Sequence, residues 1–264
     1  MPRIEVDGRE IRYRDGGGEG TPLLLFHAFP FDGGMWAGEI EALRDRYRVI
    51  APDLSGFGAS SVPTDVARYS VDRWADEGAA VLAACGLERA IVGGCSMGGY
   101  VSFAFVRRHR PRVAGLLLVD TRAEADDEAA RAGRRAAREK VRAEGRRALI
   151  EPMADRLLAP RSRADGALRS RVLAAMEQPE TGILGALHAL ENRPDSTPTL
   201  ATIDVPTCIV VGEEDVVTPP ALAEAMHRRI AGSRLVVLPG VGHLPNLEAP
   251  EAFRAAIRFP PAAA

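Results

Sequence analysis

With 264 residues, 46% of them hydrophobic and 27% charged, the chain is long and apolar enough to bury a sizeable core, which excludes a disordered protein. Its 34 basic residues stand against 36 acidic ones, for a net charge of −2, so there is no global field to draw in nucleic acid. Cys85, Cys95 and Cys208 are too few and too scattered for a disulfide framework or a zinc site, and no apolar run approaches the ~18 residues of a membrane span.

In chain order, Met1 to Asp7 has no hydrophobic signal region, and the expected compartment is the cytoplasm. Arg3 to Val6 and Glu10 to Tyr13 flank Asp7-Gly8, a pattern that predicts an antiparallel hairpin. Six near-continuous apolar runs follow: Leu23–Phe26, Val49–Ala51, Ala90–Val92, Leu116–Val119, Cys208–Val211 and Leu235–Leu238. Runs of this kind suit strands covered on both faces of a parallel sheet. Helical segments such as Val71–Gly86 and Met97–Arg108 lie between them, so the fold class is α/β with a doubly wound, mostly parallel sheet. The alternation fails once, from Thr121 to Thr199, where Ala, Arg, Glu and Leu recur at helical spacing, broken near Pro152, Pro160 and Pro179. This stretch is expected to be a helical cap, residues 121–199, inserted into a core of residues 1–120 and 200–264. It would lie over the carboxyl ends of the strands, where open α/β sheets bind ligands. Within it, Arg131–Arg147 holds eight basic and two acidic residues and reads as a solvated helix face. A short Pro/Ala tail follows Phe259.

The most informative segment is Gly93-Gly94-Cys95-Ser96-Met97-Gly98-Gly99, which contains G-x-S-x-G where a strand ends and a helix begins. Such an elbow holds its serine strained above the sheet and needs small neighbours on either side. It also aims the first N–H groups of the helix at the same spot, which suits attack on a carbonyl whose oxygen becomes negative. A dinucleotide loop would need G-x-G-x-x-G in the first βα unit, and Leu23 to Phe31 carries none. Cys95 is expected to be a small buried thiol. A serine nucleophile needs a base, and the base needs an orienting carboxylate. His243, in Leu238-Pro239-Gly240-Val241-Gly242-His243, has the best setting of the five histidines; His27 reads as structural, and His109, His188 and His227 as surface or packing residues. Asp215, just past the Cys208–Val211 run, is the preferred acid; Asp120, ending the strand before the cap, is the alternative.

Together with His27-Ala28-Phe29-Pro30, Asp53-Leu54-Ser55-Gly56-Phe57-Gly58 and Gly242-His243-Leu244-Pro245, these residues resemble the α/β-hydrolase superfamily, in its small cofactor-free esterase, lactonase and haloperoxidase-like branch. The resemblance implies Ser96 as nucleophile, Asp215 as acid and His243 as base, with the backbone N–H groups of Phe29 and Met97 as oxyanion hole and no metal or organic cofactor. The family usually has glycine where Ala28 stands, so a positive φ there would turn the Phe29 N–H away. The activity implied is hydrolysis of small to medium carboxylic esters. The same scaffold also serves lactonases, C–C hydrolases, lyases and slow-turnover sensors. Phe29, Phe31, Val216, Val217 and Leu244 are expected to line the mouth from the core side. Met153, Leu157, Leu158, Met176, Leu184 and Leu187 are the apolar candidates in the cap; nothing specific marks an anionic substrate, though Arg122 at the cap entrance could serve one. The expected partner is a small-molecule ester or lactone, not nucleic acid or membrane.

Overall fold

Near-continuous apolar runs lose both faces to water only inside a covered sheet, and the computed structural model, which describes residues 1–260, puts them there. Strands β1 (Arg3–Val6) and β2 (Arg9–Asp15) form the N-terminal hairpin, turned by Asp7 and Gly8 with φ of 47° and 71°. Both angles lie in the left-handed region that two-residue hairpin loops favour. The six apolar runs become β3 (Thr21–Phe26), β4 (Tyr47–Pro52), β5 (Ala90–Cys95), β6 (Val113–Val119), β7 (Thr207–Gly212) and β8 (Arg234–Leu238). The sheet order is β1-β2-β4-β3-β5-β6-β7-β8, with β2 antiparallel to β4 and the remaining pairs from β4 to β8 parallel. At its centre Leu24 pairs with Ile50 on one side and Val92 on the other, all fully buried. β8 departs from the expectation of two covered faces: it is an edge strand, and Val237 is 41% exposed.

The helices before the insertion are α1 (Ala37–Ala42), α2 (Val71–Ala84) and α3 (Met97–His109). Ser70 caps α2 by accepting from the Arg73 N–H, and Gly86 follows its end at φ 71°. Between β6 and β7 the chain runs through α4 (Glu128–Glu144), α5 (Arg147–Leu157), α6 (Pro160–Ala164), α7 (Gly166–Ala175), α8 (Glu180–Glu191) and α9 (Thr197–Leu200). Helix α8 seats on the core by close backbone approach, since a Cβ on Gly182 would collide with the Gly56 carbonyl. Pro160 opens α6 and Pro179 caps α8, but Pro152 is no break: it lies inside α5. Burial of Ile150, Ala154 and Leu157 on that helix outweighs the one backbone bond that proline removes. The chain closes with α10 (Pro220–Arg229), α11 (Pro245–Glu248) and α12 (Pro250–Ala256); the Pro/Ala tail past residue 260 lies outside the described residues. No helix among the described residues is long and apolar enough to cross a membrane.

Candidate active site

Ser96 stands at the junction of β5 and α3 with φ 53° and ψ −111°. Asp7 and Asp120 are the other non-glycine residues at positive φ among the described residues. A residue in such a region costs about 1–3 kcal/mol and persists only where its surroundings enforce it. Here they do: the Ser96 N–H donates to the Val119 carbonyl at 2.9 Å, and the Thr121 hydroxyl donates to the Ser96 carbonyl at 2.8 Å. The flanking glycines answer to crowding, because a Cβ on Gly94 would come within 2.5 Å of the Gly98 carbonyl carbon, and one on Gly98 would meet the Phe26 carbonyl.

Downstream of β8, His243 is held on both sides. Its N–H donates to the Leu157 carbonyl at 2.9 Å, and the Glu248 carboxylate accepts from Ala159, Leu244 and Gly242 at 2.9, 3.1 and 3.2 Å. These bonds stitch the histidine loop to the end of α5. The imidazole Nδ1 donates to Asp215 Oδ2 at 2.7 Å, which leaves Nε2 as the free nitrogen. Asp215 also accepts from the Val217 and Thr218 N–H groups at 2.7 and 3.1 Å and from the Thr218 hydroxyl at 2.6 Å. Burial pushes its carboxyl up, but the His243 charge and the hydrogen bonds from His243 and Thr218 outweigh that and hold it well below the usual carboxylate range.

Asp120, the other carboxylate considered, is also close: its ligand atoms and those of Asp215 and His243 lie within 4.8 Å of one another. That trio is the one place among the described residues where a metal could find three such ligands, but most of its atoms are already engaged within the protein. Asp120 Oδ1 accepts from the Gly212 N–H at 2.8 Å, while Oδ2 is buried without a partner among the described residues. Burial, then the Asp215 charge, pushes the Asp120 carboxyl well up, so it suits a neutral acid beside an ionised one. The Cys95 thiol is fully buried against the His243 carbonyl at 3.5 Å and is also pushed up by burial, the opposite of an activated nucleophile. His27 is buried between the Ala28 carbonyl, 2.9 Å from Nδ1, and the Leu54 N–H, 3.2 Å from Nε2, a structural bridge; burial pulls it down and keeps it neutral. His109, His188 and His227 contact Asp76, Arg138 and Ser233.

A cavity of about 440 Å³ joins Ser96, Met97, Phe29, Thr218 and His243 to residues of α4, α5 and α8. That volume is in the ~300–1,000 Å³ range of small-molecule sites. Of the expected lining, Phe29, Val217, Met153, Leu157, Leu187 and Arg122 face it. Phe31, Met176 and Leu244 do not: they are fully buried in the packed core, and Val216 is instead 64% exposed. Leu158 and Leu184 are also outside the lining. Apolar residues next to one another in sequence turn to opposite sides of a loop or helix, and composition does not say which side. Ala28 is not at positive φ, so its methyl brings no backbone strain to the Phe29 N–H. Sequence reasoning missed Tyr100, Arg134, Leu190, Thr218 and the bridging Glu248. Two of these had a signal: Thr218 completes an Asx turn from Asp215, and Tyr100 is one helical turn past Ser96.

The strand order, the elbow and the hydrogen-bonded His–Asp pair past the last two strands define a class. The chain belongs to the α/β-hydrolase fold family, whose model matches residues 21–250. Among solved structures, a thermophilic esterase from Thermogutta terrifontis, determined with malate bound, superposes with a TM-score of 0.92 at 39% identity, over 98% of this chain and 97% of that one. The 3-oxoadipate enol-lactonase 1 of Acinetobacter baylyi is 27% identical over 249 residues, 93% of this chain and 91% of that protein. The pimeloyl-[acyl-carrier protein] methyl ester esterase of Aeromonas hydrophila is 30% identical over 245 residues, 89% of this chain and 93% of that protein. The chain is therefore similar to hydrolases of esters and lactones, and general hydrolase chemistry follows from its family.

Proposed function

We propose that this protein is a serine hydrolase of small to medium carboxylic esters, acting through an acyl-enzyme on Ser96. The observation that carries the reading is the 2.7 Å bond from His243 Nδ1 to the buried Asp215, with His243 lining the same cavity as the strained Ser96. In the first step the Ser96 oxygen bonds to the ester carbonyl carbon while His243 Nε2 takes the hydroxyl proton. Asp215 holds the Nδ1–H tautomer and stabilises the imidazolium. The N–H of Met97, first in α3 and so without an intrahelical acceptor, and that of Phe29 stabilise the oxyanion. Loss of one such donor costs about 3 kcal/mol of barrier. The C–O bond to the leaving alcohol then breaks as His243 returns the proton, and water attacks the acyl-enzyme by the same route to release the acid.

Residues 121–199 serve as a cap that shapes the acyl and alcohol pockets, over a core formed by residues 1–120 and 200–264. Lactones are a second reading on the same residues, favoured by the similarity to the enol-lactonase: a lactone is an internal ester, and its opened alcohol stays attached to the acid. The test is turnover of chromogenic esters of graded acyl length by the parent and by Ser96→Ala. The parent is expected to turn over repeatedly and the variant to lose at least ~10³-fold in kcat. Turnover surviving in Ser96→Ala, or a folded parent inert across esters and lactones alike, would sink this reading.

A further inference from the structure

Ester cleavage uses Ser96 and His243 and leaves the cations that line the same cavity unexplained. Three of the lining residues are arginines, Arg122, Arg134 and Arg156, and none is Asp or Glu. Behind them a single carboxylate with a fully buried side chain, Asp126, is shared by Arg122 at 2.6 Å, Arg193 at 2.7 Å and Arg134 at 3.1 Å. Arg193 is otherwise absorbed by the fold: it donates to the Leu190 and Glu124 carbonyls and its guanidinium lies 4.2 Å from the centre of the Tyr100 ring. Arg122 and Arg134 are not absorbed in this way. The Arg122 Nε is buried with no hydrogen-bond partner among the described residues. Arg156 also faces the cavity, and its neighbour Asp155 is already taken by Arg169 at 2.8 Å.

The charge count stays positive even when Glu124 is included, whose Oε2 is buried and also unpartnered among the described residues. Three guanidiniums share Asp126, so three cations then stand against two carboxylates. A guanidinium N–H buried without an acceptor is costly unless an anion meets it, and the fork geometry of the group matches a carboxylate better than a point charge does. Much of the remaining lining is apolar, including Met153, Leu157, Leu187 and Leu190. A ligand complementary to the whole cavity therefore has a carbonyl for Ser96, an apolar body and an anion for the arginines.

We propose that Arg122 and Arg134, with Arg156 at their side, form a carboxylate subsite, and that the substrates are esters or lactones carrying a second, free carboxylate. This rests on the serine-hydrolase reading for its chemistry, but not for its binding. The test compares the p-nitrophenyl half-ester of glutaric acid with neutral p-nitrophenyl pentanoate, whose acyl chain has the same length. The parent is expected to prefer the half-ester by about tenfold or more in kcat/KM. That preference should shrink about tenfold in Arg122→Gln and in Arg134→Gln, chiefly through KM, and recover in part in Arg122→Lys. Arg156→Gln removes a cation that does not support Asp126, so a smaller loss of preference there reads the subsite without risk to the fold. A second arm uses Ser96→Ala and calorimetric titration with glutarate, which needs no turnover. Binding that weakens when Arg122→Gln is added upholds the subsite even if neither ester is cleaved. A parent that cleaves pentanoate at least as well as the half-ester, a preference that survives every arginine variant, or no glutarate binding by folded Ser96→Ala would overturn the proposal. Inorganic phosphate binding as tightly as glutarate would overturn the carboxylate assignment.

Discussion

Two carboxylates approach His243, and their surroundings separate their roles. Asp215 receives four hydrogen bonds, from His243, the Thr218 hydroxyl and two backbone N–H groups, an environment built for a charge. Asp120 receives one, from the Gly212 N–H, and is buried beside a charge of the same sign, an environment built for a neutral group. Asp215→Asn is therefore expected to lower kcat by about 10⁴-fold by favouring the wrong imidazole tautomer. Asp120→Asn keeps the acceptor for Gly212 and should leave kcat within about threefold. Steady-state kinetics on one neutral ester distinguishes the two, and the reverse ranking would make Asp120 the acid. Sequence position alone left both candidates standing, because each ends a strand on the same side of the sheet.

At the scale of elements, the loop after β8 matters more than the strand itself. Glu248 opens no helix and does not line the Ser96 cavity, yet its two oxygens gather the N–H groups of Gly242, Leu244 and Ala159. It thereby fixes the His243 loop against the end of α5, two segments more than 80 residues apart in sequence. Glu248→Gln replaces one acceptor with a donor facing N–H groups, at a cost of roughly 1–3 kcal/mol. Thermal melting should show a lower Tm, and kcat should fall with it; an unchanged Tm would show the bridge to be dispensable. The arginine run of α4 illustrates the limit of composition. Arg142 pairs with Glu139, and the following Arg146 and Arg147 share Glu177, as a solvated face would, whereas Arg135 and Arg138 reach the largely buried Glu191 of α8. Arg134, in the same run, turns inward to Asp126 and the cavity. Helical periodicity separates the faces, but only the packing of α4 on α8 decides which one points in.

The whole molecule carries a pH dependence that no single element explains. Glu39 on α1 is buried against Arg254 of α12, 3.2 Å away, and burial pushes its carboxyl up to about 7 despite the opposing pull of Arg254 and Asn246. A folded value above the ordinary 4.5 means that the fold binds this proton more tightly than the unfolded chain does. The stabilisation is complete below that ordinary value and is lost as pH rises through about 7. Glu77 and Asp120, likewise raised by burial, act in the same direction. Glu39→Gln should flatten its share of the slope, on the order of 3 kcal/mol between pH 4 and 8. Denaturant midpoints across that range measure it, and a variant as pH-sensitive as the parent would refute the assignment.

By itself the sequence determined the strands, the hairpin turn and the serine elbow, because each is written in neighbouring residues: apolar runs, Asp7-Gly8, and glycines spaced around Ser96. Helix-breaking prolines were less legible, since Pro152 continues a helix whose other side is buried. Which carboxylate bonds His243, which apolar residues face the cavity, and which arginines line it were decided only by the tertiary structure. Those properties depend on the direction in which a side chain leaves its element and on partners from distant segments, and neither is set by local periodicity.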